Sequence, residues 1–474
     1  MNPLNLIDFY KADHRSQYPK GTTLVYSNWT PRKTRTKSDK MVFFGLQYFI
    51  KKYLINDFNE HFFNQPKAIV VRQYQDLMDR TIGPGLNTDH IGALHDLGYL
   101  PLHIEAIAEG TPVPMQTPTM TFWNTHPNFS WLTNYLETLT SAILWKPCTS
   151  ATSAWLFRKN FDKYAELTGA DKGFVQFQGH DFSFRGMSGV EDACLSGMGH
   201  LLSFVGTDTV PAILFLENYY NATGLVGTSV RASEHSVQCT GGAEDEYEVN
   251  DRLIKEVYPN GIFSMVSDTY DFWKLVTEYL PSRKDSIMGR DGKLVIRPDT
   301  GTPHKVINGD PDGEAECEKK GLVRCLWDTF EGTVTEKGFK QLDSHIGTIY
   351  GDSINFEEQE LILNGLMNNG FASTNTVLGM GSYLYEYVTR DTYGNAIKAT
   401  YCEVDGVGRN LFKSPKTGAW KKSMKGLLRV NPDMTVEQEV KWSREGGELK
   451  SVFKDGELLK EWNLNDIRER LKNA

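Results

Sequence analysis

Long apolar runs are missing from this sequence: nowhere in its 474 residues does one approach the roughly 20 residues a helix needs to cross a bilayer. The opening Met1-Asn2-Pro3-Leu4-Asn5-Leu6-Ile7-Asp8 acquires charge too early for a secretory signal. Cysteine is scarce: Cys148, Cys194, Cys239, Cys317, Cys325 and Cys402 are scattered, with no CxxC pair and no histidine at zinc-finger spacing. These absences weigh against a disulfide scaffold or a zinc module and predict reduced thiols in a soluble, untargeted, cytoplasmic chain without a membrane partner. Positive charge is short as well. A formal net charge of −9 argues against a general nucleic-acid binder, though a local basic pocket can still collect anions.

What is present is an ordinary folded composition, 40% hydrophobic, 12% aromatic and 23% charged, on a chain long enough for two or three domains. Residues 1–150 mix patterns, helical over Phe43 to Phe58 and alternating like a strand over Leu102-His103-Ile104-Glu105-Ala106-Ile107. A helical stretch follows from about Trp131 to Leu167, expected to bend or divide at Pro147. Short extended runs then recur with helical patterns between several of them: Phe174–Phe177, Phe263–Val266, Leu294–Ile296, Ile346–Ile349 and Thr376–Leu378. This alternation favours a parallel sheet, and polar groups after successive strands favour its closure into a barrel with the site at the strands' C-terminal ends; an open doubly wound sheet is the alternative. The reading is α/β: an irregular TIM-like α/β barrel over 151–384, with a polar surface insertion near 302–338, and an additional α+β domain. The latter is built from 1–150 and a C-terminal segment, 385–474, that carries Lys413, Lys416, Lys421, Lys422 and Lys425.

Three segments carry chemistry: Gly179-His180-Asp181-Phe182-Ser183-Phe184-Arg185-Gly186, Ser233-Glu234-His235-Ser236 and Ile296-Arg297-Pro298-Asp299-Thr300-Gly301. An aromatic face suits a flat heteroaromatic ring, and a guanidinium pairs with phosphate oxygens. Taken singly, each has an ordinary structural explanation as a core phenylalanine, a surface ion pair or a strand-ending turn.

Together with Asp8-Phe9-Tyr10-Lys11 and matches that extend to Lys413 and beyond, these motifs resemble the nicotinamide phosphoribosyltransferases of the type II phosphoribosyltransferase family. The resemblance implies that nicotinamide and 5-phosphoribosyl 1-pyrophosphate (PRPP) become nicotinamide mononucleotide and pyrophosphate, in NAD salvage, with ATP hydrolysis coupled through a phosphohistidine. It implies a homodimer with active sites at the subunit interface. On the matched positions, Phe182 and Tyr10 stack on the pyridine ring and Asp208 accepts from the carboxamide. Arg185, Arg32, Ser264, Arg297, Gly351 and Asp352 hold the phosphoribosyl group. Gly379-Met380-Gly381-Ser382 cradles the 5′-phosphate, chiefly through Gly381 and Ser382, and Arg390, Lys398 and Lys413 bind phosphates from the partner subunit. His235 is the phosphorylated residue, with Asp268 and Asp299 as nearby carboxylates. Mg²⁺ arrives with the pyrophosphate, and no residue is assigned as a direct metal ligand. The family's Gly-Tyr within the first motif stands here as Ser183-Phe184, one family glycine as Ser382 and one family serine as Ala396. A nicotinate phosphoribosyltransferase, or a silent ligand-binding relative, is the alternative; the carboxylate at Asp208 weighs against the former.

Overall fold

The computed structural model describes residues 1–413, 423–442 and 446–474; Lys416, Lys421 and Lys422 of the basic C-terminal cluster lie outside these described residues. Two compact units emerge. One joins Met1–Thr152, Phe215–Thr223 and Val388–Ala474, the other Ser153–Leu214 and Gly224–Tyr387. Among the described residues no helix is long and apolar enough to cross a membrane.

The first unit is built on a seven-stranded antiparallel sheet that interleaves the two ends of the chain. Thr22–Thr30 lies between Ala396–Val404 and Met120–Asn124, and Leu102–Ala106 between Met120–Asn124 and Lys450–Lys454. Its alternating burial follows the alternation in its sequence. The helix expected from Phe43 starts later. Lys40–Phe43 is a strand paired with Thr111–Pro114, and the helix opens at Leu46 after Gly45, whose φ of 105° breaks the run. Pro147 does not divide its helix, which is continuous from Glu137 to Thr168. The proline ring fills the space over Gly45, where a Cβ would come within 2.5 Å of Pro147 Cγ.

The second unit holds seven parallel strands, labelled β1 (Gly179–Asp181), β2 (Gly206–Thr207), β3 (Arg231–Ala232), β4 (Phe263–Val266), β5 (Leu294–Arg297), β6 (Ile346–Tyr350) and β7 (Thr376–Met380). Their order across the sheet is β2-β1-β7-β6-β5-β4-β3. The sheet curls until its outer members meet: Gly206 of β2 forms a parallel bridge with Thr228, just ahead of β3. This is the irregular α/β barrel expected from the strand-helix alternation. Its first strand begins later than expected, since Val175–Gln178 is a helical turn. The strand starts at Gly179, where a Cβ would press to 2.8 Å from both Met380 Sδ and Phe204. The polar stretch after Gly301 also differs from expectation. It folds as the helices Pro303–Asn308, Glu316–Lys320 and Leu322–Phe330. Leu322, Val323, Leu326 and Phe330 are buried in the barrel unit's core, while the helix Glu316–Lys320, which has no buried residue, and the exposed strand Gly332–Val334 lie at the surface as expected.

Candidate active site

Six of the seven strands, all but β4, end on one cavity of about 1210 Å³ lined entirely by residues of the barrel unit. β1 runs directly into Phe182, whose N–H donates to Met380 O at 3.1 Å. The ring needs the glycine at 379, where a Cβ would come within 2.4 Å of Phe182 Cδ2; a Cβ on Gly351 would only touch the ring, at 3.4 Å, and would sit closest to Asp299 Oδ1, at 3.0 Å. Gly379 is thus occupied with Phe182, and Met380 is buried in the core. Of the expected phosphate cradle only Gly381 and Ser382 line the cavity. Nothing lies within 4 Å of where a Gly381 Cβ would stand, leaving the backbone open to close approach. Arg185 sits on the turn Phe184–Gly186, which packs against Ser382 because Gly186 has no Cβ to meet Ser382 Oγ, 2.3 Å away.

Beside Phe182, at the end of β2, stands Asp208. His180 Nε2 and Ser229 Oγ donate to its Oδ1 at 2.9 and 2.6 Å. Burial alone would raise its pKa. The hydrogen bonds from His180 and Ser229, with the charges of His180 and Arg297, outweigh burial and hold the carboxyl below the usual range.

At the ends of β4 and β5 the carboxylates are nested. Asp268 Oδ2 accepts from Asp299 N–H at 2.9 Å and from Thr300 Oγ at 2.5 Å. Its buried Oδ1 takes no hydrogen bond and faces His235 Nε2 at 3.6 Å. His235 Nδ1 lies 3.1 Å from Thr269 Oγ. Asp299, with Asp352 on the loop after β6, lines the cavity. Burial raises the Asp299 pKa, opposed by Arg297 and His235 but reinforced by Asp268 and Asp352. Arg297 donates to Ser233 O at 3.1 Å and approaches Asp299 at 3.8 Å. Among the described residues no group of three or more His, Cys, Asp or Glu converges to hold a metal ion unaided. Asp299 and Asp352 are hard oxygen donors that suit the water shell of a cation carried by a ligand.

Ser264 does not reach this cavity. It lines a second, mostly apolar one of about 270 Å³ inside the barrel, together with His180 and Ser229. Tyr10, Arg32, Arg390, Lys398 and Lys413 all belong to the other unit, where they form a cluster of their own. Burial lowers the Lys398 pKa against the pull of Glu137, and Arg32, Lys413 and Arg390 lower it further. Burial and Arg390 likewise lower Arg32, with Asp391 opposing. Arg32 Nε is spent on Gly394 O at 3.0 Å, while Tyr10 is 60% exposed and feels the charge of Arg390. Mutually repelling cations clustered in this way suit a polyanionic ligand. Sequence reasoning assigned no part to His180, Ser229 or Thr269. His180 could have been noticed from its place two residues before Phe182 on a strand, but nothing in the sequence marks the other two.

What the strand ends hold together is complementary to a flat ring on one side and to a phosphorylated sugar on the other, at the end of the barrel where such enzymes place their chemistry; the architecture is that of a barrel transferase. The family model described as the nicotinate phosphoribosyltransferase (NAPRTase) family matches residues 177–457, and that of the nicotinamide phosphoribosyltransferase N-terminal domain matches 2–83. A nicotinamide phosphoribosyltransferase of Acinetobacter baylyi is 51% identical over 99% of this chain and 97% of its own. One of Xanthomonas campestris is 31% identical over 97% and 96%. Among solved structures, a nicotinate-nucleotide pyrophosphorylase of Pyrococcus furiosus superposes with a TM-score of 0.59 at 13% identity, covering 99% of this chain and 94% of that one. The human nicotinic acid phosphoribosyltransferase gives 0.58 at 14%, covering 98% and 93%; both likenesses concern the fold. The chain belongs to the nicotinate phosphoribosyltransferase family.

Proposed function

We propose that this protein transfers the phosphoribosyl group of PRPP to nicotinamide, releasing pyrophosphate and forming nicotinamide mononucleotide for NAD salvage. The observation that carries the choice of base is the ionised Asp208 beside Phe182. It accepts from a carboxamide N–H and repels the carboxylate of nicotinate, a penalty that grows as water is excluded. The 51% identical relative of Acinetobacter baylyi, a nicotinamide phosphoribosyltransferase, agrees with this choice.

In this reading the pyridine ring lies on Phe182. Arg297, Asp299 and Asp352 surround the ribose, Arg185 serves the phosphorylated side of the sugar, and Gly381 with Ser382 takes the 5′-phosphate. The ring nitrogen's lone pair forms the bond to the anomeric carbon as the carbon–oxygen bond to pyrophosphate breaks, and the electron pair leaves with pyrophosphate. No protein nucleophile attacks the sugar. Positioning of the two reactants and charge compensation of the leaving group each supply several kcal/mol. Mg²⁺, when bound with pyrophosphate near Asp299 and Asp352, supplies part of that compensation. Tyr10, Arg32, Arg390, Lys398 and Lys413 would complete the site from a second copy in a homodimer. His235, backed by Asp268, would take the phosphoryl group of ATP in a coupled cycle separate from glycosyl transfer.

The test is to incubate the purified protein with Mg²⁺, PRPP and either nicotinamide or nicotinate, with and without ATP, and to quantify the mononucleotide by chromatography. Nicotinamide-selective product is expected. Nicotinate-selective product would overturn the part given to Asp208, and no product from either base would leave a silent relative.

A further inference from the structure

The two donors to Asp208 converge on a single oxygen. His180 Nε2 and Ser229 Oγ both meet Oδ1, at 2.9 and 2.6 Å, and among the described residues no donor meets Oδ2. An ionised carboxylate only accepts, so Nε2 carries a proton here and the Ser229 hydroxyl donates. The backbone is held by the same strand: Asp208 N–H donates to Asp181 O at 2.9 Å. Gly206 makes room for the arrangement, because a Cβ there would fall 2.8 Å from His180 Nδ1. The His180 ring also lies 4.6 Å from that of Phe182. One histidine therefore touches both groups that would face the base.

We propose that His180 and Ser229 are a positioning pair for base specificity: by occupying Oδ1 they fix the plane of the Asp208 carboxylate and leave Oδ2 as the acceptor offered to the carboxamide. The proposal rests on the functional reading above and deepens it. The charged groups facing Asp208 are His180 on β1 and Arg297 on β5, both favouring its ionised form, against which only burial acts. Without the two donors burial is opposed only by the charge of Arg297, and the carboxyl takes up a proton at a higher pH than in the wild type. A neutral carboxylic acid no longer repels nicotinate and can donate to it.

The experiment compares wild type, Ser229→Ala, His180→Leu and His180→Gln, the last retaining an N–H donor. kcat and KM for nicotinamide and nicotinate are measured between pH 8 and 5.5. Wild type should keep its preference across the range. Ser229→Ala and His180→Leu should raise the KM for nicotinamide about tenfold, with kcat less affected, the scale of a lost hydrogen bond to a charged group. Their preference for nicotinamide should fall further as the pH drops toward 5.5, whereas that of the wild type should not. His180→Gln should lie closer to wild type. If Ser229→Ala and His180→Leu keep the wild-type preference and its pH profile, the positioning pair is wrong while the functional reading stands. A wild-type enzyme that makes no nicotinamide mononucleotide removes the functional reading itself.

Discussion

At the residue scale, the base site depends on atoms that are absent as much as on those present. Gly379→Ala should push Phe182 off its seat, since the new methyl would stand 2.4 Å from the ring and 2.7 Å from Gly351 Cα. We expect a loss of at least about tenfold in kcat/KM for nicotinamide and about 1–3 kcal/mol of stability from overpacking. Adding Phe182→Ala should restore part of the stability without the activity, and additive stability losses in that double-mutant cycle would show that the ring and the methyl do not compete. His235→Ala should retain basal nicotinamide transfer but lose ATP stimulation and the phosphorylated intermediate; full stimulation in this variant would remove His235 from the coupling. Phe182, Arg185, His235, Arg297 and Asp299 were legible because three short segments carry their chemistry together, although each alone passes for a core residue, an ion pair or a strand-ending turn; Asp208 was legible through the family resemblance alone. Ser229 and Thr269 were not, because a serine or threonine in a loop is indistinguishable from a capping residue until its partner across the barrel is known. Gly379 shows the converse: its glycine suggested a phosphate, and packing assigns it to a ring.

At the element scale, alternation announced β4 to β7 within a residue or two, since a buried parallel strand is a bounded apolar run. β1 was displaced because Phe174-Val175-Gln176-Phe177 has a strand's composition, and only the tight space around Gly179 decides where the strand begins. The helix Leu322–Phe330 was missed because its polar flanks masked a buried face. Leu326→Ala should therefore cost about 2–5 kcal/mol in denaturant unfolding, whereas Asp312→Ala on the neighbouring turn should stay within about 0.5 kcal/mol. Equal, small effects would return the segment to the surface. His200, on the helix Val190–His200, ties the barrel elements together, with Nδ1 2.7 Å from Tyr385 OH and Nε2 2.9 Å from Gly206 O. Burial pushes its pKa down to about 4. The unfolded chain then takes up a proton near pH 6.5 that the folded barrel refuses, so stability falls with pH from 6.5 toward 4. About 2 kcal/mol should be lost from the barrel by pH 5. In the other unit His90, also pushed by burial to about 4, acts in the same sense. There Glu109, raised by burial to about 7, acts oppositely, since the folded state holds its proton between pH 7 and 4.5 where the unfolded chain does not. Hydrogen exchange at pH 7 and 5 should accordingly loosen the barrel first; earlier loosening of the antiparallel unit would contradict the assignment.

At the scale of the whole molecule, the cationic cluster and the base cavity belong to different units, and the proposed dimer makes a site from two chains. Arg390→Ala and Phe182→Ala, each nearly inactive alone, should recover about a quarter of wild-type activity when coexpressed, because half the random dimers carry one intact site of two. Activity no greater than the sum of the parents would mean that each chain builds its own site. The interleaved sheet has a further consequence, in time. Asn28 is bonded to Lys398, 370 positions downstream, so at a synthesis rate of about 5–20 residues per second the strand Thr22–Thr30 waits roughly 20 to 75 seconds on the ribosome for its second neighbour. The whole barrel emerges during that wait. The unit that begins the chain is the last to be finished, and every nascent molecule passes through a stage in which a completed barrel trails a half-paired sheet edge open to the cell.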